Sequence, residues 1–180
     1  MRIVLKYGGS SVATIEKIQQ IADCLIELKK EYEEIVVVAS AMGKTTDGLI
    51  KLAKEITPNP NQRELDSLMS IGEQQTVALM AMALTAKGQK AISLTGYQAG
   101  IKTAGVHTKN KIQNISSERI ERHLAEGNIV LVTGFQGINE AGDITTLGRG
   151  GSDTSAVALA VALKCECRIY TDVEGIYSVD

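Results

Sequence analysis

The chain has 180 residues, of which 44% are apolar and 22% charged, and this is enough for one well-buried core. Its formal net charge is −2, and it contains five tyrosines, one phenylalanine and no tryptophan. Because it has no basic patch and few rings on which bases could stack, we expect neither nucleic acid nor an anionic membrane surface as a partner.

Apolar periodicity predicts strands that alternate with helices along the chain. Strands are predicted, in chain order, over residues 3–5, 35–39, 91–94, 129–133 and 168–171. Helices are predicted over residues 15–28, around 49–56, from a proline-containing break at 58–61 to about 87, from a cap at Ser116 or Ser117 to Gly127, and over the apolar run 156–163. Residues 95–111 are polar and are predicted to be irregular.

The predicted strands are continuously apolar and rich in β-branched residues, which is typical of strands covered on both faces. The sequence therefore predicts an α/β fold, a three-layer α/β/α sandwich with a mainly parallel sheet. Ligands of such sheets bind beyond the carboxyl ends of the strands. Glycine, hydroxyl and charged residues cluster at those ends, after Leu5, Val38, Leu94 and Val132 and around Asp172. The alternative is that each cluster is an ordinary connection between a strand and a helix.

Cysteines and histidines give no sign of a metal or disulfide framework. Cys24, Cys165 and Cys167 are odd in number and lack Cys-x-x-Cys spacing, so we expect reduced thiols. The two histidines, His107 and His123, are isolated, and no metal site is predicted. A strand pattern follows the first residue directly and the apolar runs are short, so we expect no signal peptide, no membrane span and a cytoplasmic location.

The most informative segment is Gly-Arg-Gly-Gly-Ser-Asp-Thr-Ser at residues 148–155, directly before an apolar helical run. Glycines allow a close backbone approach to a ligand, and the helix start directs unpaired N–H groups at it. Arg149 can hold a carboxylate or phosphate through two hydrogen bonds, and Asp153 can hold a cation or an ammonium group. The segment predicts a pocket for an anionic substrate. Asp153 could instead, or in addition, cap the helix.

Two common nucleotide motifs are excluded. No Gly-x-Gly-x-x-Gly follows a strand, so a Rossmann site is not predicted. Gly43-Lys44-Thr45 resembles the end of a P-loop, but the first glycine of that motif would fall at Val38, inside a predicted strand. The loop is then too short to wrap phosphates.

Glu73 lies within an apolar helical stripe formed by Met69, Val77, Met80 and Leu84. An unpaired carboxylate buried there would cost several kcal/mol, so we expect it to have a cationic or hydrogen-bonding partner. The alternative is a charge at the edge of the stripe that reaches water.

Four segments together resemble the signatures of the aspartokinases, a family within the amino-acid kinase superfamily. They are Lys-Tyr-Gly-Gly-Ser-Ser-Val at 6–12, Ser-Ala-Met-Gly-Lys-Thr-Thr-Asp at 40–47, Gly-Arg-Gly-Gly-Ser-Asp-Thr at 148–154 and Tyr-Thr-Asp-Val-Glu-Gly-Ile-Tyr at 170–177. Aspartokinases transfer the γ-phosphate of ATP to the side-chain carboxylate of L-aspartate, giving 4-phospho-L-aspartate, the first step of lysine, threonine and methionine biosynthesis. The resemblance implies this activity, with ATP and Mg²⁺ as cofactors.

The resemblance also implies roles for residues. Lys6 and Asp153 would be catalytic, with Lys6 bridging the transferring phosphates and Asp153 orienting Lys6 or Mg²⁺. On its residue type alone, Lys6 could instead be a surface lysine with a snorkelling stem. Gly8, Gly9 and Ser10 would donate to phosphate oxygens at the start of the next helix. The full set of implied nucleotide contacts is Lys6, Tyr7, Gly8, Gly9, Ser10, Thr171, Asp172 and Tyr177.

On the substrate side, the resemblance implies that Arg149 clamps a carboxylate of aspartate and that Glu73 helps to bind the amino acid, with the substrate ammonium or Arg149 as its partner. Thr45 could replace Thr46 if the alignment slips by one residue. The full set of implied substrate contacts is Ser40, Thr46, Glu73, Arg149, Gly150, Gly151, Ser152 and Asp153.

Family members continue beyond the equivalent of Asp180 with further nucleotide contacts and regulatory ACT domains. The resemblance therefore implies that residues 1–180 are a truncated amino-acid kinase catalytic domain without its C-terminal part or the ACT domains. We expect this chain to be catalytically silent alone and the full-length form to be a homo-oligomer. The alternatives are a non-catalytic binding or assembly fragment, or a kinase for a related amino acid.

Overall fold

The computed structural model describes residues 1–170 and 176–179, the last four by their backbone only. The strands are β1 Arg2–Tyr7, β2 Glu34–Ala39, β3 Ala91–Leu94, β4 Ile101–Ala104, β5 Lys111–Ile115, β6 Ile129–Thr133, β7 Gln136–Ile138, β8 Ile144–Thr146, β9 Glu166–Tyr170 and β10 Ile176–Val179. The helices are α1 Ile15–Leu28, α2 Thr45–Ile56, α3 Gln62–Met69, α4 Ile71–Ala86, α5 Glu118–Ala125 and α6 Gly151–Leu163. None of the described helices is long and apolar enough to cross a membrane.

The central sheet has six strands in the order β10-β9-β1-β2-β6-β3. Every pair is parallel except β9–β10, which is antiparallel. Successive side chains of a strand point to opposite faces. In β1, Ile3 and Leu5 accordingly pack with α1 and α4, whereas Val4 packs with α5 and α6. Helices therefore cover both faces, and the predicted three-layer sandwich with a mainly parallel sheet is confirmed.

A second, four-stranded sheet in the order β5-β4-β7-β8 was not predicted. The interpretation of residues 95–111 as irregular is wrong, because β4 and the start of β5 lie within them. The four strands have only three to five residues each, too few for a clear alternation of apolar and polar positions. Strand β7 of this sheet begins at Gln136, three residues after β6 of the central sheet ends.

Several predicted element bounds also differ from the structure. The single helix predicted from 58–61 to about 87 is two helices, α3 and α4, which meet at Ser70. The Ser70 hydroxyl donates to the carbonyl of Ser67 at 2.7 Å, a local bond that competes with the helical pattern. Helix α2 begins at Thr45, earlier than predicted. The strand predicted over 168–171 spans Glu166–Tyr170, and Thr171 lies outside the described residues.

Candidate active site

A cavity of about 390 Å³ lies at the carboxyl edge of the central sheet. Segments far apart in sequence meet there, because parallel strands end at the same edge. The lining residues are Lys6, Gly9, Ser40, Ala41, Gly43, Thr46, Glu73, Phe135, Gly148, Arg149, Gly150, Gly151, Ser152 and Asp153. The cluster that follows Leu94 does not line this cavity but a neighbouring one that contains Thr95 and Tyr97. Asp172, in the fifth predicted cluster, lies outside the described residues.

Lys6 reaches the cavity from β1, where it lies between Val38 of β2 and Ile169 of β9. It is only 9% exposed, so the alternative of a snorkelling surface lysine is wrong. Its Nζ lies 2.8 Å from Oδ1 of Asp153. Oδ1 has no hydrogen-bond partner among the described residues, so the contact is an ion pair. It joins the end of β1 to the first turn of α6.

Asp153 is the third residue of α6, whose cap position is held by Gly150. Asp153 therefore lies inside the helix, where its side chain faces Lys6, and it does not occupy the cap. A carboxylate in the first turn also interacts favourably with the positive end of the helix dipole. The position thus places the Asp153 carboxylate between the start of α6 and a buried cation.

The glycine-containing loop after β1 packs against the loop after β2. The carbonyl of Gly9 accepts from the N–H of Gly43 at 2.9 Å. A Cβ at Gly9 would lie 3.1 Å from the carbonyl oxygen of Ala41, so the close approach favours glycine. The carbonyl of Gly8 accepts from the N–H of Ser11 at 3.1 Å, and the carbonyl of Ser10 accepts from Nζ of Lys17 at 2.9 Å.

Helix α1 begins only at Ile15, where the Thr14 hydroxyl accepts from the N–H of Lys17 at 3.1 Å. The expectation that Gly8, Gly9 and Ser10 stand at the start of the next helix is therefore wrong. The loop makes two turns of its own before α1 begins.

Tyr7, an implied nucleotide contact, is buried and does not line the cavity. Its ring stacks on that of Tyr170, with centroids 4.8 Å apart. Burial raises the pKa of the Tyr7 hydroxyl far above its usual range. Of the other implied nucleotide contacts, Thr171 and Asp172 lie outside the described residues, and Tyr177 is described only as part of the β10 backbone.

Ser40 and Thr46 both line the cavity, from the loop after β2 and the first turn of α2. The hydroxyl of Thr45 donates to the carbonyl of Met42 at 2.6 Å, and Thr45 is not among the lining residues. The sequence left open whether Thr45 or Thr46 contacts the substrate. Of the two, Thr46 is the one that lines the cavity.

Glu73 enters the cavity from α4 and is only 3% exposed, so the alternative of a charge that reaches water is wrong. Its Oε1 accepts from Nε2 of Gln136 at 2.8 Å. The hydrogen-bonding partner expected from the sequence thus exists, but it is Gln136 and not Arg149. Burial raises the pKa of the Glu73 carboxyl to about 8, and the hydrogen bond from Gln136 works in the opposite direction.

Arg149 is exposed and lines the same cavity, one residue before the cap of α6. Gly150 has φ +78°, a left-handed conformation that glycine adopts without strain. The first N–H groups of α6 lack intrahelical partners, and the first residues of that helix line the cavity. Arg149 and this helix start together make one wall of the cavity suited to an anion.

Sequence reasoning missed Phe135 and Gln136. Phe135 lines the cavity with φ +74°, which is strained for a bulky residue. The N–H of Phe135 donates to the hydroxyl of Ser155 at 3.0 Å, and the carbonyl of Phe135 accepts from the N–H of Leu147 at 2.8 Å. The available sequence signal was position alone, since both residues follow the buried strand β6.

Residues 1–180 match the amino acid kinase family over their whole length. The chain belongs to the amino acid kinase family. It is 58% identical over 179 residues to an aspartokinase of Geobacillus stearothermophilus, an alignment that covers 99% of this chain and 44% of that protein. The chain thus spans less than half the length of this curated relative.

Two solved structures have the same fold. The aspartate kinase from Synechocystis superposes with a TM-score of 0.80 at 51% identity, over 95% of this chain and 28% of that one. E. coli aspartokinase III, solved in complex with aspartate and ADP, gives a TM-score of 0.86 at 24% identity, over 97% of this chain and 50% of that one. The implied amino-acid kinase fold is thereby confirmed.

Proposed function

We propose that residues 1–180 form part of an aspartate kinase catalytic domain. In this proposal the γ-phosphate of ATP is transferred to the side-chain carboxylate of L-aspartate, and the product is 4-phospho-L-aspartate. The observation that carries it is a single cavity in which the Lys6–Asp153 ion pair meets Arg149, Glu73, Ser40 and Thr46. The names of the curated relatives and of the Synechocystis structure support the same substrate.

The chemistry asked of the cavity is positioning and charge neutralisation. A carboxylate nucleophile is already ionised, so the reaction needs no general base. The barrier comes from bringing this anion against a polyanionic triphosphate. Lys6 is buried and held by Asp153, so its ammonium group is already in position before the substrates bind. A preorganised cation of this kind stabilises the charge that develops on the transferring phosphoryl group.

Recognition of L-aspartate requires groups for one ammonium and two carboxylates. Arg149 is exposed at the cavity and can grip the carboxylate that does not react through two parallel hydrogen bonds. Glu73, once ionised, can accept hydrogen bonds from the ammonium group of the substrate. Ser40 and Thr46 supply hydroxyl groups that orient the reacting carboxylate. We assign these roles as part of the proposal.

The residue types of the lining would also suit the phosphates of a nucleotide and Mg²⁺. Mg²⁺ is usually held by one or two carboxylates together with substrate phosphates. Among the described lining residues, the carboxylates are Glu73 and Asp153, and the Asp153 side chain is about half exposed. Asp153 could therefore hold the ion, which would neutralise phosphate charge when bound. Lys6 and the loop that contains Gly8, Gly9 and Ser10 would face the phosphates.

We further propose that the full-length protein acts in the cytoplasm as a homo-oligomer, at the first step of lysine, threonine and methionine biosynthesis. This setting is what the aspartokinase resemblance implies. The geometry of the cavity supports only the proposed reaction.

Trapping of the acyl phosphate with hydroxylamine tests the proposed reaction. The chain is assayed alone and as a chimera in which it replaces the matching 44% of the Geobacillus aspartokinase. We expect ATP- and Mg²⁺-dependent aspartyl hydroxamate from the chimera, none with L-asparagine, and no turnover from the chain alone. A folded chimera that gives no hydroxamate from L-aspartate would contradict the proposed function.

A further inference from the structure

Gln136 of β7 donates a side-chain hydrogen bond to the carboxyl of Glu73 on α4. Its Nε2 donates to Oε1 of Glu73 at 2.8 Å and to the carbonyl of Ser70 at 3.0 Å. The Ser70 carbonyl can only accept, so the amide nitrogen of Gln136, and not its oxygen, must face this pair. Both hydrogens of the amide are thereby used. Gln136 is 4% exposed, so water does not compete for these bonds.

The backbone of Gln136 is fixed on three sides. It pairs with Thr146 in the antiparallel β7–β8 ladder. The preceding residue, Phe135, is tied through its N–H to Ser155 and through its carbonyl to Leu147. A Cβ at Gly96 would lie 2.3 Å from the carbonyl oxygen of Gln136, so the loop after β3 presses directly on this residue. The side chain of Gln136 therefore starts from a rigid position.

We propose that Gln136 is a positioning residue that orients the Glu73 carboxyl at the cavity and allows it to ionise there. The proposal rests on the proposed function in one respect, namely that Glu73 accepts the substrate ammonium. An amide donor stabilises a carboxylate more than a carboxylic acid, because the bond to the charged acceptor is stronger. Without it, burial would hold the pKa of the Glu73 carboxyl still further above its usual range. A neutral carboxyl attracts an ammonium group only weakly.

Among the described residues, no charged side chain forms an ion pair with Glu73. Lys6, Arg149 and Asp153 line the same cavity, yet the raised pKa of Glu73 is due to burial, offset by the hydrogen bond from Gln136 and by a backbone hydrogen bond. From α3, the carboxylate of Asp66 is occupied by Nδ1 of His107 at 2.6 Å, the N–H of Thr108 at 3.1 Å and the hydroxyl of Thr146 at 2.5 Å.

The first test measures the midpoint of Glu73 titration by carbon-13 NMR in this chain. Gln136→Met removes both donors with little change in size. We expect the Glu73 midpoint to rise by about one pH unit, the scale of a hydrogen bond to a charged group. Gln75→Met is the matched control, since Gln75 is exposed on α4, and it should leave the midpoint unchanged. An unchanged midpoint in folded Gln136→Met would overturn the proposal.

Two further readouts remain informative if Gln136→Met does not fold. In the unsubstituted chain, the side-chain amide resonances of Gln136 should titrate with the midpoint of Glu73, and flat amide resonances would overturn the proposal. Gly96→Ala should also raise the Glu73 midpoint by displacing Gln136. Gly48→Ala is its control, because a Cβ at Gly48 meets nothing within 4 Å.

Calorimetry with L-aspartate separates this inference from the proposed function. If both hold, aspartate affinity rises with pH along the Glu73 titration, and Gln136→Met moves that rise upward by the same shift. If Gln136→Met moves the Glu73 midpoint while aspartate affinity does not follow it, the contact of Glu73 with substrate is wrong. The control of Glu73 ionisation by Gln136 would still stand.

Discussion

Lys6 and Arg149 are the cations that line the cavity among the described residues, and they differ in burial. Lys6 is 9% exposed and already paired with Asp153, whereas Arg149 is exposed. A buried, paired lysine keeps its position while substrates enter and leave. An exposed arginine can move to meet an incoming carboxylate at little desolvation cost. The two residues therefore suit different tasks, phosphoryl stabilisation for Lys6 and substrate capture for Arg149.

Lys6→Met tests the first of these tasks. Methionine retains most of the stem and removes the charge, so we expect turnover of the chimera in the hydroxylamine assay to fall by about two orders of magnitude or more. Lys54→Met, on the exposed last turn of α2, is the matched control and should keep full turnover. A fall of less than about threefold for Lys6→Met would exclude a role in stabilising the phosphoryl group.

Glu73 gives a prediction about stability. Its pKa rises from 4.5 to about 8 on folding, so the native chain binds this proton more tightly than the unfolded chain does. The resulting stabilisation is fully present below pH 4.5 and is lost as pH rises through about 8. Glu73→Gln does not titrate, so its stability relative to the unsubstituted chain should rise across this window. At about 1.4 kcal/mol per pKa unit, the upper bound on this rise is about 5 kcal/mol.

Urea unfolding of both chains at several pH values measures this difference. The control is Glu55→Gln, an exposed position on α2, which should show no such trend. A stability difference that stays constant between pH 4.5 and 8 would mean that Glu73 is not desolvated in solution.

At the scale of elements, the substrate side of the cavity depends on how closely α4 approaches the loop after β2. A Cβ at Gly72 would lie 2.8 Å from Cβ of Ala41 and 3.3 Å from the hydroxyl of Thr46. Gly72 lies one residue before Glu73, so this approach also sets the distance between Glu73 and Thr46. Glycine is otherwise a poor helix former, and its presence in α4 is explained by this contact.

The same substitution, glycine to alanine, should therefore change the stability in opposite directions at two positions. Gly72→Ala must push Ala41 away, and such overpacking costs about 1 to 3 kcal/mol, more than the helical gain. Gly48→Ala in α2 meets nothing within 4 Å and should stabilise by about 0.5 to 1 kcal/mol. Thermal melting of both variants measures this: we expect a lower melting temperature for Gly72→Ala and a higher one for Gly48→Ala. Equal melting temperatures would mean that the loop does not contact α4 as described.

The elements that could be predicted were those with long buried runs. The parallel strands of the central sheet and helix α1 have enough consecutive apolar positions for their period to be recognised. The break between α3 and α4 could not be predicted, because Ser70 keeps helical φ and ψ and fits the helical period. Asp66 of α3 is fixed there by His107, Thr108 and Thr146, contacts that join residues 41 to 80 positions apart.

At the scale of the whole molecule, the sequence predicted which segments meet but not how their side chains pair. The clusters after β1, β2, β3 and β6 were expected at one edge, and all but the cluster after β3 contribute residues to one cavity, together with the segment before α6. The pairing of Glu73 with Gln136, 63 residues apart, has no local sequence signal. Phe135 was missed for the same reason, since its conformation is imposed by Ser155 and Leu147.

An NMR titration of the nitrogen-15-labelled 180-residue chain with L-aspartate tests most directly whether this cavity is the substrate site. We expect backbone shifts to concentrate on the lining residues Ser40, Thr46, Glu73, Arg149, Gly150, Gly151, Ser152 and Asp153, and L-asparagine to cause much smaller ones. The apolar groove between α2 and α3, lined by Leu52, Ile56 and Leu65, serves as the internal reference and should not shift. Shifts confined to that groove, or none at the cavity at millimolar L-aspartate, would contradict the assignment.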